Sequence, residues 1–333
     1  MEDLLQFLKD NNKNVKDEEL QRIADNVRLV GADSDFATLH KVYKWMVNGV
    51  PAVDKDGRPT TVNLIDFSCL DNPQAKNTNF FRVVNQFTVE YINNGAVKNR
   101  RPDVLLYVNG IPICVIELKN PADANATIED AWEQINIRYW RDIPGLLHYC
   151  PLACISDGVK TQLGTVRTPY EHFYAWRRVE NGDKVSTMPF DELKTMVRGV
   201  YRPESFLEIF RDYVYFQDEN FDSDEKEIVC RYPQFFATRL LRESVIKSVK
   251  TKSGKGGTYF GAHGKRKDGD GERYDGRAAA RAEGERRMQV HPRGVGVDSA
   301  QQTAPAELPL DAQIVRAEII RIFAEFKPTL IIL

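Results

Sequence analysis

The sequence is poor in several features, and each absence narrows what the chain can do. Its five cysteines, Cys69, Cys114, Cys150, Cys154 and Cys230, are an odd set in a 333-residue chain and do not form a disulfide framework. Cys150 and Cys154 lack a second Cys or His pair at ligand spacing, which argues against zinc, and reduced thiols fit a cytoplasmic protein. No apolar run is long enough to span a membrane, and the first residues, MEDLLQFLKD, carry no signal-peptide pattern. Net charge is also small: 46 Lys and Arg against 48 Asp and Glu leave −2, so a nucleic-acid partner would need a local basic stripe. Histidine is scarce as well. His172, in PYEHFYAW, reads as a packed neighbour of aromatic rings, and Ser156, in ISDG, has neither a nearby His nor an elbow motif to make it a nucleophile.

What remains is a chain that is 42% hydrophobic, enough for one large core or two smaller ones. Helical spacing dominates the first fifty residues, with Leu20, Ile23 and Val27 and then Leu39, Val42, Trp45 and Met46 on apolar faces. From residue 60 the texture changes to short β-like runs, TVNLIDF, FFRVVNQFTVEYI, RPDVLLYV and IPICVIEL. A helix is expected from Thr127 to Trp140, opened by a capping-box-like Thr127 and Asp130, with Ile128, Ala131, Ile135 and Tyr139 on one face. Strands follow at LACIS and after Asp157-Gly158, and residues 190–216 read as helical again. The fold class expected is α/β, with a mixed sheet flanked by helices. Boundaries are expected at 1–216 for the first domain, 217–228 for an acidic linker, and 229–333 for a second segment that begins with the amphipathic stretch YPQFFATRLLRESVIKSVK. Residues from Ser253 to about Pro309 hold few core-forming side chains.

Chemistry concentrates at Asp103, Glu117 and Lys119. Asp103 opens one strand, Glu117 lies near the end of the next, and Asn109-Gly110 is the turn between them. Two carboxylates brought together make a hard oxygen site suited to Mg²⁺, with Asp103 and Glu117 as ligands. Lys119, two residues from Glu117 and so on the same face, can position a water or offset charge on a phosphate. Parity tests the idea. A plain two-residue turn pairing Val108 with Ile111 puts Asp103 opposite Ile116, and the two acids then face opposite ways. A three-residue connection or an equivalent bulge is therefore required. Gln134, on the helix that follows, can hydrogen-bond a phosphate or a water. Arg82, Lys98, Arg100 and Arg101 flank the site and read either as phosphate contacts or as solvated surface.

The runs NFFRVVNQFTVE and RRPDVLLYVNGIPICVIELKNPADANATIEDAWEQI, with Tyr139 to Pro144 and ISDG, resemble the restriction subunit of type I restriction-modification enzymes. The resemblance extends over most of residues 20–262. It implies a PD-(D/E)xK restriction-endonuclease-like core followed by a helicase-like motor, with the catalytic acids and lysine on Asp103, Glu117 and Lys119. Family members also carry a Gln and a Tyr four apart on the next helix. Here Tyr139 stands five from Gln134, with Arg138 at the fourth place, as though one residue were inserted; Gln134 is the site residue expected. The family implies double-stranded DNA as substrate, methyltransferase and specificity subunits as partners, and ATP in the motor.

In this chain the approach GKGGTYFGA leads into His263-Gly264-Lys265-Arg266, which breaks the phosphate-loop spacing and lacks its Ser or Thr, so ATP binding is not expected and Lys265 reads as a solvated charge. Residues 263–309 read as a frameshift or an abnormal gene end, KPTLIIL as a motor strand, and an early acidic nuclease helix as missing. The expected function is a Mg²⁺-dependent DNA endonuclease domain. The alternatives are a non-catalytic remnant or assembly module that binds DNA or partner subunits, and a stand-alone repair nuclease of the same fold.

Overall fold

The computed structural model describes residues 2–30, 34–120, 127–183, 191–217, 225–256 and 331–332. They fall into two compact units, residues 1–230 with 308–333 and residues 231–307.

The first unit opens with three helices, α1 (Glu2–Asn11), α2 (Asp17–Arg28) and α3 (Asp35–Asn48). Their apolar faces are buried as the spacing requires: Leu4, Phe7 and Leu8, then Leu20, Ile23 and Val27, then Leu39, Val42 and Met46. Ser34 caps α3 by accepting from the Ala37 amide, and Gly49 ends it at φ 77°, a conformation that favours glycine. A small hairpin, β1 (Val50–Val53) and β2 (Pro59–Val62), follows.

The central sheet is built from β3 (Phe81–Asn85), β6 (Val104–Val108), β7 (Ile111–Leu118), β8 (Leu152–Ser156), β9 (Thr161–Thr165) and β10 (Tyr174–Ala175). Between β3 and β6 the chain leaves the sheet as a separate ribbon, β4 (Val89–Asn93) and β5 (Ala96–Arg100). The sheet order is β10-β9-β8-β7-β6-β3, with residues 331–332 (β13) added in parallel beside β3. These residues belong to KPTLIIL, the stretch expected from sequence to be a motor strand. β7 and β8 are parallel and all other neighbours from β3 to β10 are antiparallel, so this is the mixed sheet expected. β6, β7 and β8 form its buried middle, matching their continuous apolar runs.

The parallel crossover carries the helix predicted after Thr127. It begins as α4 (Ile128–Glu133) with the capping box in place: Thr127 Oγ1 accepts from the Asp130 amide at 3.2 Å, and the Asp130 carboxylate accepts from the Thr127 amide at 2.6 Å. It is not α-helical throughout. Gln134–Tyr139 form a π-helical turn before α-geometry resumes at Trp140–Asp142.

The tail of the first unit departs from the sequence reading in one place. α5 (Asp191–Val200) and α6 (Pro203–Asp212) bury Leu193, Val197, Val200, Phe206 and Phe210 as expected. Val214–Gln217 and Lys226–Val229, however, form a strand pair, β11 and β12, at the two ends of the expected acidic linker 217–228, of which residues 218–224 lie outside the described residues. Acidic composition misled because one of those acids, Glu227, is buried, and its backbone carbonyl accepts from the Thr165 and Thr168 hydroxyls. Tyr43 ties this tail to the first helices by donating to the carbonyls of Phe210 and Val214. In the second unit the described residues are mainly one helix, α7 (Tyr232–Thr251), whose Gln234 side chain accepts from the Arg231 amide. The broken phosphate loop, Lys265 and residues 263–309 lie outside the described residues. No described helix is long and apolar enough to cross a membrane.

Candidate active site

The β6–β7 hairpin satisfies the parity condition by the second of the two expected routes, a bulge. Its turn is the short one: Val108 pairs with Ile111, and Asn109 and Gly110 both adopt positive φ, 51° and 78°. The three-residue connection is therefore absent. The register slips further along instead, where Tyr107 faces Pro112 but Leu106 faces Cys114, leaving Ile113 as the extra residue of a bulge. Beyond it Val104 faces Ile116, so the next position on each strand brings Asp103 opposite Glu117. Proline beside the bulge is consistent, since Pro112 has no amide to give the ladder. Asn109 tolerates its left-handed conformation because its side chain is fully used. Oδ1 accepts from the Phe80 amide at 2.8 Å, and Nδ2 donates to the Leu64 carbonyl and to Asn79 Oδ1.

The two acids interlock. The Leu118 amide donates to Asp103 Oδ2 at 2.9 Å, and the Asp103 amide donates to Glu117 Oε1 at 3.3 Å. Lys119 continues the parallel ladder by donating its amide to the Ser156 carbonyl at 2.7 Å, which fixes the root of its side chain. Its Nζ then donates to Gln134 Oε1 at 2.6 Å, while Gln134 Nε2 donates to Glu117 Oε2 at 2.9 Å. Gln134 thus bridges the lysine and the glutamate. All four residues expected from sequence, Asp103, Glu117, Lys119 and Gln134, meet.

Tyr139, which the spacing had set aside, joins them. Its hydroxyl donates to Glu117 Oε1 at 2.5 Å and accepts from Gln134 Nε2 at 2.8 Å. The π turn is the reason. One extra residue in an α-helix would rotate Tyr139 by about 100°, whereas a turn closed over five residues absorbs the insertion and returns it to the face of Gln134. The opposite side of the helix is held too. Trp132 and Trp140 indoles and the Asn136 amide donate to the carbonyls of Thr168 and Val166 at 2.7–3.1 Å. The π turn is clamped between the site and that loop.

Glu117 is 1% exposed. Burial pushes its carboxyl well above the usual range, the adjacent Asp103 charge pushes the same way, and the Tyr139 hydrogen bond and Lys119 charge oppose them. Tyr139 is likewise raised, first by burial and then by Glu117, so it stays a hydroxyl donor. A divalent cation beside the acid pair would supply the missing positive charge. Two carboxylates are hard oxygen donors, and Asp103 and Glu117 are the residues here that could hold such an ion.

The other residues singled out by sequence play lesser parts. Cys114, Cys150 and Cys154 are buried free thiols. The Ser156 hydroxyl is spent on Thr161 and the Lys160 carbonyl. His172 lies beside the Tyr174 hydroxyl. Of the flanking cations, Arg82 pairs with Asp3 and Arg100 with Asp142, while Lys98 and Arg101 are exposed.

The site is a buried acid pair closing a hairpin in a mixed sheet, next to a lysine and a glutamine, and comparison with known proteins gives the family of the chain. The family described as type I restriction enzyme R protein N terminus matches residues 3–172, and the chain belongs to that family. Among its relatives, a Methanocaldococcus jannaschii protein described as the MjaIXP endonuclease subunit of a type I restriction enzyme is 32% identical over 235 residues, covering 65% of this chain and 21% of the relative. The HindI endonuclease subunit of Haemophilus influenzae is 31% identical over 201 residues, covering 60% of this chain and 18% of its own length. The chain thus spans about a fifth of the length of these curated relatives.

Proposed function

We propose that this chain is the Mg²⁺-dependent DNA endonuclease domain of a type I restriction enzyme, with a PD-(D/E)xK-type core. The observation that carries the reading is the convergence of Asp103, Glu117, Lys119 and Gln134 at one end of the β6–β7 hairpin. Asp103 and Glu117 would hold the cation, which when bound polarises the scissile phosphate and acidifies a water. Lys119 Nζ, aimed by Gln134, stands where it can orient that water and offset phosphate charge. Tyr139 and Gln134 hold both oxygens of Glu117 and so fix the carboxylate plane. Nothing in this set reads a base, and target choice would come from specificity and methyltransferase subunits of the same assembly. The relatives described as endonuclease subunits support the endonuclease role.

Cation binding tests the reading without requiring the rest of the assembly. Titration with Mn²⁺, followed by its electron paramagnetic resonance signal, should show a site that Asp103→Asn and Glu117→Gln each remove. A parent chain that binds no Mn²⁺, or variants that bind it as well as the parent, would overturn the assignment.

A further inference from the structure

We propose that the ribbon β4–β5 grips duplex DNA by lying in its major groove, an inference that rests on the endonuclease reading for its substrate class. The ribbon leaves the sheet after Asn85 and returns at Val104, and the Gln86 amide donates to the Asp103 carbonyl at 2.9 Å. It therefore springs from the end of the sheet that carries the acid pair. Its strands pair from Val89↔Arg100 to Asn93↔Ala96 around an Asn94-Gly95 turn, both residues at positive φ. The root is anchored. Arg100 Nε donates to Asp142 Oδ2 at 2.7 Å, and the guanidinium lies over the Tyr91 ring. Asp142 closes the same helix that supplies Gln134 and Tyr139, so one element holds both the site and the ribbon's base.

The outer part has no such covering. Ile92 and Val97 are cross-strand partners one rung from the turn, and they stand 77% and 70% exposed. They share a face, since directly opposed residues of an antiparallel pair point the same way. An aliphatic pair held out on a thin ribbon is a contact surface rather than a core. Charge selects the occupant. With Arg100 paired to Asp142, the exposed charges of residues 86–102 are Lys98 and Arg101 against one acid, Glu90, which lies on the Ile92 face toward the ribbon's root. Five residues per strand give a length of roughly 17 Å, and a two-stranded ribbon is an element that the major groove, about 12 Å wide, admits. Ile92 and Val97 would meet base edges, where a thymine methyl is an apolar partner, while Lys98 and Arg101 meet phosphates.

The test measures binding of the full 333-residue chain to a short fluorescent duplex by anisotropy, in EDTA over a range of salt. Ile92→Ser with Val97→Ser should weaken binding about tenfold, the size of a lost base-edge contact. Lys98→Ala with Arg101→Ala should reduce the slope of log affinity against log salt by about two. Both pairs are exposed, so melting temperatures should match the parent. Asp103→Asn, run alongside, should fail to cut when Mg²⁺ is added, which reads the nuclease assignment separately from the ribbon. A parent that binds no duplex, or ribbon variants that bind it undiminished, would overturn the ribbon assignment, and retained DNA binding with loss of a co-purifying subunit would mark the ribbon as a protein contact instead. If the ribbon variants lose DNA but no form of the protein cuts even when supplied with its partner subunits, the ribbon assignment stands and the nuclease reading falls.

Discussion

Deleting Ile137 should leave the protein folded and its site assembled, although it removes a residue from a helix in the middle of the chain. Ile137 is 50% exposed and sits inside the π turn Gln134–Tyr139. Without it Gln134 and Tyr139 would stand four apart, a spacing an ordinary α-helix places on one face. The residues after the turn then keep their positions, so Trp140 still reaches Val166 and Asp142 still reaches Arg100. The net cost should stay within about 1 kcal/mol, or about 2–4 °C in melting temperature for a unit of this size. Inserting one alanine after Ile137 should do the opposite. It rotates Tyr139 by about 100° and carries its hydroxyl roughly 8 Å away at side-chain radius. The Tyr139–Glu117, Gln134–Tyr139 and Trp140–Val166 hydrogen bonds are lost, and buried partners go unpaired. At about 1 kcal/mol for each ordinary bond and more for the charged one, that is about 3–5 kcal/mol. The melting temperature should fall by about 10 °C or more. Differential scanning calorimetry of the three proteins decides the matter. A deletion as damaging as the insertion, or an insertion without effect, would refute the claim that the π turn exists to absorb one residue.

Three further outcomes follow from particular contacts. Because the folded-state carboxyl of Glu117 is raised, the parent in EDTA should lose stability as pH rises from its ordinary value of 4.5 toward the raised one; Glu117→Gln should lack that loss and be the more stable protein at neutral pH, as denaturant titrations at several pH values would show. Equal pH profiles would contradict it. Asn109→Ala should cost about 3–5 kcal/mol, because it abandons the Phe80 amide, the Leu64 carbonyl and Asn79 and leaves a residue with a Cβ at φ 51°; a melting temperature near the parent's would show that the hairpin turn does not depend on this network. Burial pushes the Cys154 thiol up to about 12 and raises those of Cys114 and Cys150 as well, so all three should resist a thiolate-directed reagent at pH 8 until the protein is unfolded, and rapid native-state labelling of five thiols would refute their burial.

How much of this was legible beforehand depended on the range of each signal. The buried middle of the sheet could be read because β6, β7 and β8 are continuous apolar runs. The acid pair could be read because a hydrophobic strand ending in Glu-Leu-Lys leaves the charged side chains few other places. Parity even required an irregularity in the hairpin, but not its position. Asn-Gly kept its tight two-residue turn, and the slip falls at Ile113, beside Pro112, which cannot serve the ladder. Tyr139 was passed over for a related reason. Counting residues assumes 3.6 per turn, and nothing local announces a π turn; the grip of Trp132, Asn136 and Trp140 on a distant loop is what holds it. Two hints were available: the five-residue spacing from Gln134, which marks one inserted residue, and the single apolar face of Ile128, Ala131, Ile135 and Tyr139. The strand Lys226–Val229 was hidden by its acidic composition, since the burial of Glu227 depends on partners some sixty residues away.

The central claim, that this site cuts DNA, is tested most directly by nicking of supercoiled plasmid in Mg²⁺ or Mn²⁺, comparing the parent chain with Asp103→Ala and Lys119→Ala. The account predicts metal-dependent nicking by the parent and none by either variant while both remain folded. Equal nicking by all three, or none by the folded parent supplied with its partner subunits, would contradict it.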